Sequence, residues 1–194
     1  MPSRAGRQPE WLPSSRQGST GSRQVMLQAM NRFFSPPPEN QNLKTMTRTA
    51  LFAGTFDPYT LGHHAIVQRA LALFDGVVIA VGCNMDKQCR ATAEERVAAI
   101  ERIYAADSRV RVVTYSTLTM DLAREVGATA LLRGVRTVKD FEYERELADV
   151  NLRLGGIETL LMVSEPEYAH ISSSLVRELL KYGKDVSDLL PKVD

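Results

Sequence analysis

A doubly wound α/β domain with a parallel sheet is the fold class this sequence predicts, and three observations carry the prediction. From Thr49 onward, short β-rich runs alternate with segments of helical period, the pattern of strand, helix, strand units. The apolar runs Val77 to Val81 and Thr159 to Val163 have the length of buried strands. The composition, 44% hydrophobic and 24% charged over 194 residues, is that of one ordinary globular domain with enough apolar material for a core.

Residues 1–46 are rich in Ser, Arg, Gln, Pro and Gly and include Pro36-Pro37-Pro38, a composition expected to stay disordered. The same composition suits an organellar transit peptide, a mis-assigned start or a leader, and Met46 is read as the effective beginning of a domain over 47–194. The expected order is strand Thr49 to Ala53, helix Gly62 to Phe74, strand Val77 to Val81, helix Ala93 to Ala106 and strand Val110 to Thr114. A helix near Met120 to Val126, strand Ala130 to Arg133, helix Val138 to Leu154, strand Thr159 to Val163 and helix Ser173 to Lys181 complete it. Thr92-Ala93-Glu94-Glu95 reads as a capping box that fixes one helix start. Right-handed crossovers then place a ligand crevice at the carboxyl ends of the strands.

The net charge of +1 divides into +4 over residues 1–46 and −3 over the rest, so the domain offers no general field for nucleic acid and any anion must be held by local cations. No run of 18 apolar residues occurs, which argues against a membrane span. Cys83 and Cys89 have no partner at zinc spacing and read as ordinary thiols of a reduced, cytoplasmic compartment.

The unusual residues all follow strands: Gly54-Thr55-Phe56-Asp57-Pro58 after the first, Lys87 after the second, Arg133-Gly134-Val135-Arg136 after the fourth, and Ile171-Ser172-Ser173-Ser174 after the fifth. Singly each has an ordinary explanation as a turn, surface loop or helix cap; their shared rim points to one site. Gly54 is expected to let the backbone approach a phosphate. His63 falls in the first turn of the following helix, where free amides and the helix dipole favour an anion and an imidazole can donate to a phosphoryl oxygen. His64 points about 100° away and reads as a surface or packing residue. Asp57 reads as an Asx-turn residue or a metal neighbour. Asp140 and Glu144 are like-signed at i, i+4, which an isolated helix disfavours.

The run Gly54-Thr55-Phe56-Asp57-Pro58-Tyr59-Thr60-Leu61-Gly62-His63 resembles the signature of the bacterial phosphopantetheine adenylyltransferases within the HxGH nucleotidylyltransferase superfamily. Thr60 matters here, because most other branches carry histidine at that position. Further matches are Lys87, Thr92-x-x-Glu95-Arg96, Arg133-Gly134-x-Arg136, Asp140-Phe141-Glu142-Tyr143-Glu144 and Ile171-Ser172-Ser173-Ser174-Leu175-Val176, so the resemblance spans Thr49 to Pro191. Ala53, where relatives often have proline, departs from the pattern.

The resemblance implies transfer of an adenylyl group from ATP to 4'-phosphopantetheine, a step of coenzyme A synthesis. It implies nucleotide contacts from Thr55, Phe56, His63, Gly134, Val135, Arg136, Glu144, Tyr168, Ala169, His170, Ile171, Ser172, Ser173 and Ser174. It implies contacts to the other substrate from Thr55, Lys87, Thr119 and Arg133, and a homohexamer. The expected roles are His63 on the α-phosphoryl oxygens, Lys87 and Arg133 on the incoming phosphate, and the three serines on the β and γ phosphates. Mg²⁺ is expected to arrive with ATP, since no carboxylate cluster stands near the phosphate loops. For Glu144 the alternative is a solvated helix face balanced by Lys139 and Arg145. Another nucleotidylyltransferase of the superfamily, acting on nicotinamide mononucleotide or glycerol 3-phosphate, is the nearest competing activity, and a non-catalytic nucleotide-binding relative the next. A Rossmann dehydrogenase lacks its Gly-x-Gly-x-x-Gly turn here.

Overall fold

The computed structural model describes residues 47–82 and 89–192. The chain divides into two units, Met1–Thr45 and Met46–Asp194; the expectation for residues 1–46 lies outside the described residues. Five strands, β1 (Thr49–Gly54), β2 (Gly76–Gly82), β3 (Val110–Tyr115), β4 (Ala130–Val135) and β5 (Thr159–Val163), alternate with helices α1 (Leu61–Ala70), α2 (Ala93–Ile103), α3 (Thr119–Glu125), α4 (Val138–Val150) and α5 (Ser173–Lys181). All strand pairs are parallel, in the order β3-β2-β1-β4-β5. The doubly wound α/β expectation therefore holds.

Alternation along the strands divides the core between the two sheet faces. Ala50 and Phe52 of β1, with Val77, Ile79 and Val81 of β2, pack with Ile66, Val67 and Ala70 of α1 and Ile100 of α2. The intervening Leu51, Ala53, Val78 and Ala80 pack with Leu122 and Ala123 of α3. Helices thus cover both faces, as an all-parallel sheet requires. The capping box at the start of α2 is present: Glu95 N–H donates to Thr92 Oγ1 at 3.2 Å and Thr92 N–H donates to Glu95 Oε2 at 2.8 Å.

Several boundaries differ from the expected ones: α1 ends at Ala70 rather than Phe74 and α2 at Ile103 rather than Ala106, and two more differences lie at β4 and α4. Strand β4 continues through Gly134 and Val135, because both pair with Met162 and Val163 of β5; Arg133 therefore sits inside the strand rather than in the loop after it. Helix α4 ends at Val150, and residues Asn151–Gly155 form a π-type turn closed by Gly156 at φ 66°, a left-handed conformation that favours glycine.

Candidate active site

The chain order reverses between β1 and β4, the two central neighbours from which strands run outward in opposite senses. A crevice opens at such a switch point. Here it is a cavity of about 290 Å³, and it receives Gly54 to Phe56 from the β1–α1 loop, Thr60 and His63 from the start of α1, Arg133, Gly134 and Arg136 around the end of β4, Glu144 of α4, and Ile171 to Ser174.

The β1–α1 loop is built around an aromatic plug. Phe56 adopts φ 51°, its ring is buried, and a Cβ placed on Gly54 would lie 2.8 Å from that ring. A side chain at Gly54 would therefore crowd the Phe56 ring, a packing demand that stands beside the expected approach to a phosphate, since Gly54 also lines the cavity. Arg96, buried at the start of α2, donates to the carbonyls of Thr55, Gly82, Ala91 and Thr92 and ties the loop to two neighbouring elements. Asp57 is also buried; its Oδ2 accepts Arg90 N–H at 2.8 Å, a bond to a distant segment rather than an Asx-turn.

Thr60 is the N-cap of α1, and its backbone N–H donates to His63 Nδ1 at 3.0 Å, with Thr60 Oγ1 also 3.0 Å from that nitrogen. A backbone amide only donates, so Nδ1 is an acceptor and the neutral ring carries its proton on Nε2. Burial, with added repulsion from Arg136 and Arg133, lowers the His63 pKa to about 4. The imidazole is thus neutral near pH 7, and Nε2–H is its one donor. His64, as expected, packs: it stacks on Tyr104 and its Nδ1 lies 2.9 Å from the Tyr104 hydroxyl.

Arg133 faces a carboxylate as well as the cavity. Its Nε and Nη2 donate to Glu144 at 2.7 and 2.6 Å, and Nη1 donates to the Ala53 carbonyl at 2.5 Å. Burial opposes the Arg133 charge, but the Glu144 contact outweighs it and holds the guanidinium pKa above its ordinary value. Arg136 pairs with Asp140 at 3.3 Å and donates to the Ile171 carbonyl at 3.4 Å. The like-signed Asp140 and Glu144 are therefore each matched to one arginine of the β4 end. The solvated-face alternative for Glu144 is overturned, because this side chain is buried and bonded to Arg133 rather than balanced by Lys139 or Arg145; Arg145 pairs with Asp149 instead.

At the start of α5 the three serine hydroxyls already have protein partners. Ser172 Oγ caps the helix by accepting Leu175 N–H at 3.0 Å, Ser173 donates to the Pro58 carbonyl at 2.8 Å, and Ser174 Oγ accepts from Arg177 at 3.0 Å. The first-turn amides of Ser173 and Ser174 have no helical carbonyl to bond, so this end offers an anion its backbone N–H groups more readily than its hydroxyls.

Of the remaining expected site residues, Lys87 lies outside the described residues. Thr119 opens α3, its hydroxyl 3.4 Å from the Tyr115 hydroxyl, away from the cavity. Val135, Tyr168, Ala169 and His170 do not line the cavity, whereas Phe52, Ile66 and Ser164, which the sequence reading did not single out, do. Phe52 and Ile66 look like any core residues in sequence; the strand alternation that puts Phe52 on the α1 face was the available signal. Among the described residues no group of three or more His, Cys, Asp or Glu is placed to hold a metal ion.

The cytidylyltransferase-like family description matches residues 51–179, and fold and site together define a nucleotidyltransferase. A phosphopantetheine adenylyltransferase of Porphyromonas gingivalis is 54% identical over 143 residues, which cover 74% of this chain and 94% of that protein. One from Phocaeicola vulgatus is 52% identical over 145 residues, covering 75% and 96%. The chain belongs to the phosphopantetheine adenylyltransferases, enzymes of coenzyme A biosynthesis. Among solved structures, a bifunctional NMN adenylyltransferase/ADP-ribose pyrophosphatase from Francisella tularensis, complexed with AMP and a manganese ion, superposes with a TM-score of 0.57 at 13% identity. The match covers 77% of this chain and 46% of that one, a likeness of fold.

Proposed function

We propose that the cavity at the switch point binds ATP and 4'-phosphopantetheine together and that the 4'-phosphate attacks the α-phosphorus of ATP. A bond forms between a 4'-phosphate oxygen and the α-phosphorus, the bond to the β-phosphate bridging oxygen breaks, and pyrophosphate leaves with dephospho-coenzyme A as the other product. The single observation that carries this reading is the neutral His63, its Nδ1 fixed by the Thr60 amide, set in one cavity with Arg133, Arg136 and the first turn of α5.

The attacking phosphate is already anionic, so no protein nucleophile is needed. The barrier lies in bringing two polyanions together and in spreading charge over the equatorial oxygens. His63 Nε2–H donates to an α-phosphoryl oxygen without a proton changing hands, since a ring with a pKa of about 4 has no proton to give up or take at pH 7 beyond that donor. Arg133 retains unpaired N–H groups for the incoming phosphate while Glu144 keeps its fork in one plane. Lys87 joins it there, Arg136 serves the nucleotide, and the Ser173 and Ser174 amides receive the terminal phosphates. Thr55 and Phe56 border the nucleotide.

Among the described residues the carboxylates do not form a metal cradle; a divalent cation such as Mg²⁺ brought with ATP would supply charge neutralisation at the phosphates. A homohexamer in the cytoplasm completes the proposal. What supports assembly is that the apolar side chains of Val138, Phe141 and Tyr143 on α4 are left exposed.

Replacing His63 tests the reading. His63→Ala is expected to lower kcat about a hundredfold or more while ATP affinity stays nearly unchanged, because the bond strengthens only in the transition state. Equal losses in ATP affinity and turnover would contradict the role.

A further inference from the structure

Behind His63 lies a set of contacts that the reaction leaves unused. Tyr59 is buried, and its ring stacks on the His63 imidazole with centroids 5.4 Å apart and planes 29° apart. Phe56 meets the same imidazole edge-on, at 5.1 Å and 89°. At its other end the Tyr59 hydroxyl lies 2.7 Å from the Tyr104 hydroxyl, which lies 2.9 Å from His64 Nδ1. Tyr104 is the C-cap residue of α2, and the His64 ring stacks on it at 5.4 Å and 26°.

Donor counting gives this chain a direction. With a neutral His64 accepting at Nδ1, Tyr104 donates to His64 and Tyr59 donates to Tyr104, and every proton is used. In the opposite order the Tyr59 proton has no acceptor among its hydrogen bonds, in a buried position where that is costly. Burial lowers the His64 pKa, in keeping with the neutral ring.

The Thr60 amide and hydroxyl hold His63 Nδ1, and the rest of the ring is held by its contacts with Tyr59 and Phe56. The geometry points to Tyr59, Tyr104 and His64 as a positioning chain: Tyr59 sets the plane of the His63 ring, and the hydroxyl chain anchored on α2 and His64 sets Tyr59. None of the three is a catalytic residue. The inference rests on the assignment of His63 to the α-phosphoryl oxygens, since only an oriented donor gains from a fixed plane.

The test is a set of steady-state measurements on the full chain, with ATP affinity and Tm recorded beside them. Tyr104→Phe and Tyr59→Phe each keep the ring and remove one hydroxyl. Each is expected to lower kcat about three- to tenfold, a fraction of the cost of a 1 Å misplacement, with both KM values unchanged. The double variant is expected to lose no more than Tyr104→Phe, which already removes both hydrogen bonds of the chain. His64→Phe, which keeps the stack on Tyr104 at a half-buried site, is expected to lower kcat in the same way, and it serves as the reading should either tyrosine variant fold poorly. Full activity of these variants beside an inactive His63→Ala overturns the chain while sparing the role of His63. Losses that multiply in the double variant, or that follow KM and Tm, also overturn it. A fully active His63→Ala overturns the reading on which it rests.

Discussion

The rim of the sheet and the outer face of α4 are built on opposite rules. The buried polar or charged side chains among the described residues are Asp57, Thr60, Arg96 and Glu144. Asp57, Thr60 and Glu144 stand on elements that line the cavity, Arg96 reaches the β1–α1 loop from α2, and all four are hydrogen-bonded. By contrast, Val138 is 75% and Tyr143 59% exposed on α4, Leu154 follows at 70%, and Val163 on the edge strand β5 at 69%. At the rim, polar groups are withdrawn from water and held rigidly; on the outer face, apolar groups are left in water. The first arrangement suits a preorganised anion site, the second a surface completed by further chains. Single substitutions should therefore act through stability and chemistry at the rim, and through assembly on the outer face.

The largest stability effect is expected from Arg133→Ala. It leaves the Glu144 carboxylate buried without the guanidinium that binds it through two bonds, and removing one partner of such a pair costs about 3 kcal/mol or more. Chemical denaturation measures it; a loss below about 1 kcal/mol would rank the pair with surface bridges and blunt the contrast between the two regions.

His63 provides the next effect. Its pKa falls from an ordinary 6.5 to about 4 on folding, so between these pH values the unfolded chain binds a proton that the native chain does not. Stability is thus full above about pH 6.5 and declines as pH falls toward 4. The decline is at most about 3 kcal/mol, less to the extent that the ring edge meets cavity water. An NMR titration of the imidazole should show a midpoint near pH 4; a midpoint near 6.5 would contradict the burial and the two neighbouring arginines as its determinants.

Thr92→Ala, which removes one half of the α2 capping box, is expected to cost about 1 kcal/mol. A value near zero would show that Arg96 alone holds the start of that helix. Smallest in stability is Phe141→Ser on the outer face, within about 0.5 kcal/mol for the isolated domain, yet it should shift sedimentation toward smaller species. An unchanged assembly would remove Phe141 from the proposed interface.

The fold was legible because period and punctuation agreed: each of the five strands and five helices appears where alternation and turn residues predict, with the largest boundary errors at the ends of α1, α2 and α4. The placement of His63 in the first turn of α1 was equally legible, since the expected start at Gly62 lies one residue from the observed one at Leu61. The matched pairs were not. Glu144 and Arg133 are 11 residues apart on different elements, so their meeting depends on how α4 packs beside β4, which local pattern does not show. The packing of Phe56 against Gly54 was hidden for a similar reason, because the positive φ of Phe56 has no signal in a Gly-Thr-Phe sequence. The expectation that the three serines face the terminal phosphates did not foresee the partners of their hydroxyls, which are a helix cap, a loop carbonyl and Arg177.

The most direct measurement is pyrophosphate release from Mg·ATP by the purified protein, with 4'-phosphopantetheine, nicotinamide mononucleotide, glycerol 3-phosphate or no acceptor compared side by side. Release with 4'-phosphopantetheine alone is the predicted result. Release with another acceptor, or with none of them, would contradict adenylyl transfer to phosphopantetheine as the reaction of this site.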